Sequence, residues 1–257
     1  MDLFRLTLAT LLARKTWVVA IFAAIIVPLI FPLFTPHETN TMLLEPARAQ
    51  AAWTCTWFIG ILWTLSQAAR FGDSNSRTGV GAYFRAQGVG SLRQIFGIWS
   101  AIIIFLLPVV LIALATCLLF AMPSDAEEST MWIWTNIQFA ILFLLTIGPL
   151  ALLGVGLASR FGALIGYLLP AGLCLYGLYG VTKLEMMIRL RDDNRLVEWI
   201  YSVSPHYHLA DLTPRLIFKM GHIPWDEFGL FLAYFAAITV VLTAAATLLF
   251  RTDPLRN

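Results

Sequence analysis

The chain has 257 residues, of which 59% are hydrophobic and only 12% charged, with a formal net charge of +2 and a mean hydropathy of +0.79. A soluble domain carries about a quarter charged residues, whereas here the apolar residues gather into blocks of about 20, the length that crosses a hydrocarbon core of about 30 Å. This excludes a soluble enzyme, a fused ATPase and a nucleic-acid-binding domain, whose basic residues would cluster on one soluble face, and it predicts a single all-α polytopic membrane domain.

Ahead of the first block, Leu3, Phe4, Leu8, Leu11 and Leu12 fall roughly on one helical face beside Arg5, Arg14 and Lys15, which predicts an interfacial helix over residues 1–15. Six transmembrane helices are then expected at about 16–34, 51–69, 98–120, 131–157, 161–181 and 228–250. The first lacks a small-residue cleavage site and is followed by five more, so it reads as a span and not a signal peptide. Trp17, Trp53, Trp99, Trp132 and Trp134 fall near block ends, where indoles are expected at headgroup level. Cys55, Cys117 and Cys174 lie inside blocks with no CxxC and no neighbouring His, and read as small buried hydrophobes.

The loop at 70–96 is rich in glycine. Gly79 and Gly81 permit a turn, Tyr83 and Phe84 offer an exposed aromatic pair, and Gly88 to Gly90 would end a short helix begun near Ala82. Such a helix can seat aromatic anchors in a partner's groove or serve as a solvated connector. No GxxxxGK[ST] occurs, which argues against a nucleotide site. Farther on, Ala158, Gly162 and Gly166 have the small-residue spacing of closely packed spans.

At 183–225, Leu184, Met187, Ile188, Leu196, Val197, Ile200 and Tyr201 recur at helical spacing among charges, predicting an amphipathic piece on the outer surface or capping the bundle. Pro205 ends it. His206 and His208 alternate like a metal pair but have no clear third ligand, so no metal site is expected. With both termini cytoplasmic, the inside holds Arg5, Arg14, Lys15, Arg70, Arg77, Arg85, Arg93, Arg160, Arg251 and Arg256, and the two short outer loops hold only Arg48. The basic residues Lys183, Arg189, Arg191, Arg195, Arg215 and Lys219 run against this count, so a five-span arrangement with a re-entrant fifth block is the competing topology. The spans carry essentially no ionisable side chains, no arginine ladder and no GxSxG or HExxH, so the energy source is expected on another polypeptide and an ion-coupled carrier is disfavoured.

Three stretches, in order, carry a resemblance: Leu12 to Trp17 after the amphipathic start, Gly79 to Gly97, and Val203-Ser204-Pro205 through Arg215 to Gly221 with the ending Phe250 to Leu255. Together they resemble the permease subunits of type-2 ABC exporters, although Gly88 stands where the family's loop commonly has proline and Ile98 where a basic residue often follows the aromatic-glycine pair. The resemblance implies a non-catalytic half-transporter in a bacterial inner (cytoplasmic) membrane, binding no cofactor itself. A second permease, identical or a sister chain, would pair with it among membrane lipids, and ABC ATP-binding subunits carrying ATP and Mg would dock beneath. It further implies ATPase-docking or coupling roles for Gly79, Tyr83, Phe84, Arg85, Val89, Arg93 and Gly97, and an extracytoplasmic gate containing Ser204 and Pro205. The alternative is a scaffold or assembly subunit of the same fold that moves nothing.

Overall fold

The computed structural model describes residues 3–34, 41–190 and 195–253, and within these the chain folds into helices without a strand. They are α1 (Leu3–Arg14), α2 (Thr16–Ile30), α3 (Thr41–Phe58), α4 (Leu65–Arg77), α5 (Val80–Ala86), α6 (Ser91–Leu119), α7 (Ala126–Phe161), α8 (Ala163–Leu175), α9 (Val181–Leu190), α10 (Arg195–Val203), α11 (Thr213–Ile217) and α12 (Trp225–Leu249). Two π-helical turns, Ile59–Thr64 and Tyr176–Gly180, join α3 to α4 and α8 to α9 without a break. Among the described residues five stretches are long and apolar enough to cross a membrane, Thr16–Leu33, Ser91–Leu119, Ala126–Phe161, Ala163–Leu190 and Trp225–Leu249, as in a polytopic α-helical membrane protein.

The expected second span, at 51–69, lies inside the long helix formed by α3, its π turn and α4, but it is not among the five. Trp53, Thr54, Thr56, Trp57, Trp63, Thr64 and Gln67 dilute its hydropathy. The reason is packing: Trp53, Thr56, Thr64, Leu65, Gln67 and Ala68 are buried against other helices, so this stretch answers to protein neighbours more than to lipid. The fourth block extends beyond its expected bounds to Ala126–Phe161. The fifth, after a break at Gly162, runs on to Leu190 and takes in Lys183, Glu185 and Arg189 that were expected in the following loop.

Helix α7 is the centre of the bundle: its most apolar window is 83% buried, against 17% in α12. Its start is set by Asp125, whose carboxylate accepts the Glu127 and Glu128 N–H groups at 3.0 Å, with both glutamates favourably placed at the positive end of the helix. Its end is Gly162, at φ 91°, where the chain reverses into α8. Small residues let neighbours approach its backbone. Gly72 of α4 lies on the Val155 backbone, Gly156 on the Ala246 backbone of α12, and Gly166 of α8 on Ala158, each without room for a Cβ. Ala158 and Gly166 therefore meet each other across the α7–α8 hairpin, and Gly162 is the corner and not part of a helix face.

The tryptophans are used differently from the interfacial belt expected of them. Trp53 is fully buried, donates to Asn136 Oδ1 at 2.8 Å and stacks on Phe139 at 4.1 Å. Trp99 donates to the Gly148 carbonyl at 2.8 Å and Trp132 to the Cys117 carbonyl at 3.0 Å. An indole N–H that finds a partner inside the bundle has no need of the headgroup layer. Of the five, Trp134 is the one exposed to any large extent, at 40%. Helix α1 also sits differently: Leu3, Thr7 and Leu11 form its buried stripe, packed on α6, while Leu12 is exposed. Lys15, at φ 54°, makes the turn from α1 into α2. Cys55, Cys117 and Cys174 are free and buried.

Replacing Gly72 by leucine forces a side chain into the Val155 backbone. It is expected to destabilise the protein by about 1–3 kcal/mol, read as a lowered thermal unfolding midpoint in detergent. Gly172→Ala, where a Cβ meets nothing, leaves the midpoint unchanged or raised.

Candidate docking face

Helices α4, α5 and α6, the corner at Gly162 and the segment after α12 meet at one end of α7. Gly79 at φ 75° opens α5 in a left-handed turn that a side chain would strain, and its surroundings are empty. The helix closes at Gly88, φ 82°, where the Val89 N–H bonds the Phe84 carbonyl at 2.9 Å and the Gly88 N–H bonds the Arg85 carbonyl at 3.0 Å. This paired closure satisfies the last carbonyls and brings Val89 back over Phe84. The seven-residue helix is thus fixed at both ends by glycine geometry.

Tyr83 and Phe84 are not an exposed pair. Tyr83 is 63% exposed, but Phe84 is 7% exposed and belongs to the main apolar core. Consecutive residues on a helix point about 100° apart, so on one short helix one ring anchors α5 to the bundle and the other projects. The expected exposed pair is therefore corrected to one exposed ring, Tyr83, and one buried ring, Phe84, that anchors α5.

A buried polar node secures the same helix. Gln94, fully buried in the first turns of α6, donates to the Val89 carbonyl at 2.9 Å and the Gly81 carbonyl at 3.1 Å, and accepts from Asn75 Nδ2 at 3.3 Å. Gly81 is pressed between Asn75 and the Thr252 carbonyl, so any side chain there would have to displace backbone. On the other side Arg85 pairs with Asp253 at 2.9 Å and reaches Thr252 Oγ1 at 3.3 Å. The following segment is itself tied down, since the Arg251 N–H donates to Ser159 Oγ of α7 at 2.9 Å. The Arg85–Asp253 pair is exposed and contributes little energy. The Gln94 node is buried, so its hydrogen bonds carry more, although Asn75 Oδ1 has no partner within it.

The remaining expected residues divide. Arg93 and Gly97 line a groove of about 510 Å³ between α1 and α6, with Leu3, Phe4, Leu92 and Phe96. Gly97 lies inside α6 beside the Phe4 backbone, a helix-crossing position apart from Tyr83. Ser204 and Pro205 lie away from α5, against the π turn Tyr176–Gly180 and at the level of Tyr234 and Phe235 of α12. His206 and His208 are neighbours with ring centres 5.4 Å apart, and no cluster of three or more His, Cys, Asp or Glu forms among the described residues. Asn75, Gln94 and Thr252 were not anticipated. Gln94 is in register with buried Ile98, Ala101 and Ile102, the one signal in the sequence that it faces inward.

Gln94→Leu removes the acceptor for Asn75 and both carbonyl contacts. It is expected to cost about 1–3 kcal/mol and to raise amide exchange in Val80–Val89 more than in α7. Tyr83→Ala should leave both unchanged, measured by hydrogen–deuterium exchange mass spectrometry.

Comparison with known protein families, with curated proteins and with solved structures found no match for this chain.

Proposed function

We propose that this protein is the membrane-spanning permease subunit of an ATP-driven exporter of the type-2 ABC class, with α5 as the helix that receives the stroke of a separate ATPase. The observation that carries the reading is the division of labour on α5: Tyr83 stands free while Phe84 and the Gln94 node lock the helix to α4 and α6. A push on Tyr83 is then delivered to three long helices together, since α4 and α6 both pack on α7. A solvated connector has no need of such fastening.

In this reading the helix running from α3 through α4 is a sixth span, lined by Trp and Thr because it is shielded by its neighbours. The α5 end faces the cytosol, in keeping with Arg5, Arg14, Lys15, Arg70, Arg77, Arg93, Arg160 and Arg251. The sparsely buried outer walls of α2 and α12 face lipid and a second permease copy or sister chain. ATP and Mg belong to the partner. Closure of the ATPase dimer presses the two α5 helices toward each other and shifts the paired bundles between inward- and outward-facing packings, because the nucleotide-bound ATPase binds one packing better than the other.

Tyr83→Asp is expected to leave the thermal midpoint of the permease unchanged while abolishing co-purification of the ATPase, measured by affinity pull-down from the native membrane. Tyr83→Cys should react with a membrane-impermeant maleimide only in inside-out vesicles. Reaction from the periplasmic side, or uphill transport by the purified chain under an ion gradient alone, overturns the proposal; a bound ATPase without substrate movement in proteoliposomes assigns the fold to a scaffold.

A further inference from the structure

The segment Ser204–His208 is fastened to the π turn Tyr176–Gly180 by a hydroxyl pair and by close packing on a glycine. In the π turn the Val181 N–H reaches back five residues to the Tyr176 carbonyl, a wider and weaker coil than the α-helix on either side. The Tyr176 hydroxyl lies 2.7 Å from Ser204 Oγ. Ser204 Oγ already donates to the Ile200 carbonyl at 2.6 Å, so Tyr176 is the donor to it. The Tyr207 ring and the Pro205 carbonyl rest directly on Gly177, where a Cβ would lie 2.5 and 2.7 Å from them. From the other side, the His206 N–H donates to the Tyr234 hydroxyl of α12 at 2.8 Å, and Tyr207 stacks on Phe235 at 6.3 Å. The segment is therefore wedged between the looser part of one apolar helix and the face of another.

His208 is the weak point of the wedge. Its ring is half-buried 5.4 Å from His206, and its Nδ1 is buried with no hydrogen-bond partner. A second proton on this imidazole has no acceptor where it must sit. The titratable groups that act on it are His206 on its own segment and Glu185 of α9; Arg189, Tyr201, Tyr234, Tyr207, Cys174, Tyr179 and Asp211 bear on one another in the same region. Glu185 is the carboxylate that favours a charged His208, but it is engaged by Arg189 at 2.6 Å.

We infer that Ser204–His208 is an acid-released latch on the π turn Tyr176–Gly180, closed while His208 is neutral and freed when His208 becomes an imidazolium. Burial first, and then His206, hold the proton affinity of His208 below that of a free imidazole, against the smaller opposing pull of Glu185 and the Gly177 carbonyl. The released segment, in water, takes up its proton at about pH 6.5. The latch is therefore at full strength above that pH and weakens as the pH falls below it, the opening constant rising by up to about tenfold per pH unit until the latched form also protonates. The inference does not rest on the transport reading, and its test reads the fold alone.

Hydrogen–deuterium exchange of the protein in nanodiscs between pH 8 and pH 5, corrected for intrinsic exchange rates, measures the opening of Ser204–Leu212 and of Leu175–Val181 against α7 as reference. Protection in both peptides should be flat from pH 8 to 7 and fall together below about 6.5 by up to tenfold per unit. In His208→Gln, which keeps an N–H but cannot become charged, it should stay flat, whereas His206→Gln should retain the fall. An unchanged ratio to α7 across the range, or the same fall in His208→Gln, overturns the latch. Should His208→Gln not purify, the wild-type ratio to α7 decides alone.

Discussion

Backbone-to-backbone approach around α7 is the constraint on which the rest of the molecule depends. In hydrocarbon there is no hydrophobic force to gather helices, so contact must come from dispersion and hydrogen bonding, and both require closeness. Gly72, Gly156 and Gly166 supply that closeness to α4, α12 and α8 respectively. A helix so held on three sides has almost no lipid-facing surface of its own. That is why α7 can carry Asn136, Gln138 and Thr146 fully buried at depths where lone polar groups would be costly.

Those polar groups are partnered in ways that tie remote parts of the chain to α7. Asn136 accepts from Trp53 of α3, and Gln138 exchanges two hydrogen bonds of 2.8 Å with the Ile223 backbone just ahead of α12. Near the other end Ser159 holds the Arg251 N–H. The central helix thus fixes the approach to α12 at one end and its exit at the other. The exit segment in turn supplies Thr252 and Asp253 to α5. The α5 face and the segment Ser204–Tyr207 are both mounted on the same axis.

The two faces differ in how they are secured. Around α5 the fastening is glycine geometry, a buried aromatic ring and a buried amide node, with the exposed Arg85–Asp253 pair as its salt-sensitive member. Around Ser204–His208 it is hydroxyls, a half-buried imidazole and a π turn, a looser and more polar set. The first set is apolar and backbone-determined for the most part, and the second rests on side-chain hydroxyls and an imidazole.

The sequence by itself determined the class of the protein, the position of the main apolar blocks and the existence of a short helix between Gly79 and Gly88. These follow from composition, block length and the φ freedom of glycine, which act locally and need no partner. Which ring of Tyr83 and Phe84 projects was decided by tertiary structure alone, because both are aromatic and only the packing of α5 on its neighbours distinguishes them. The same holds for Trp53, Trp99 and Trp132: their spacing suits a headgroup belt, but buried carbonyls and Asn136 captured their N–H groups. The Trp- and Thr-rich stretch at 51–69 reads as a marginal span in hydropathy because its surroundings are protein, and no property of a single segment reports what will surround it. Gln94 and Asn75, nineteen positions apart, are ordinary amides in the sequence and become a structural node only where α4 and α6 bring them together.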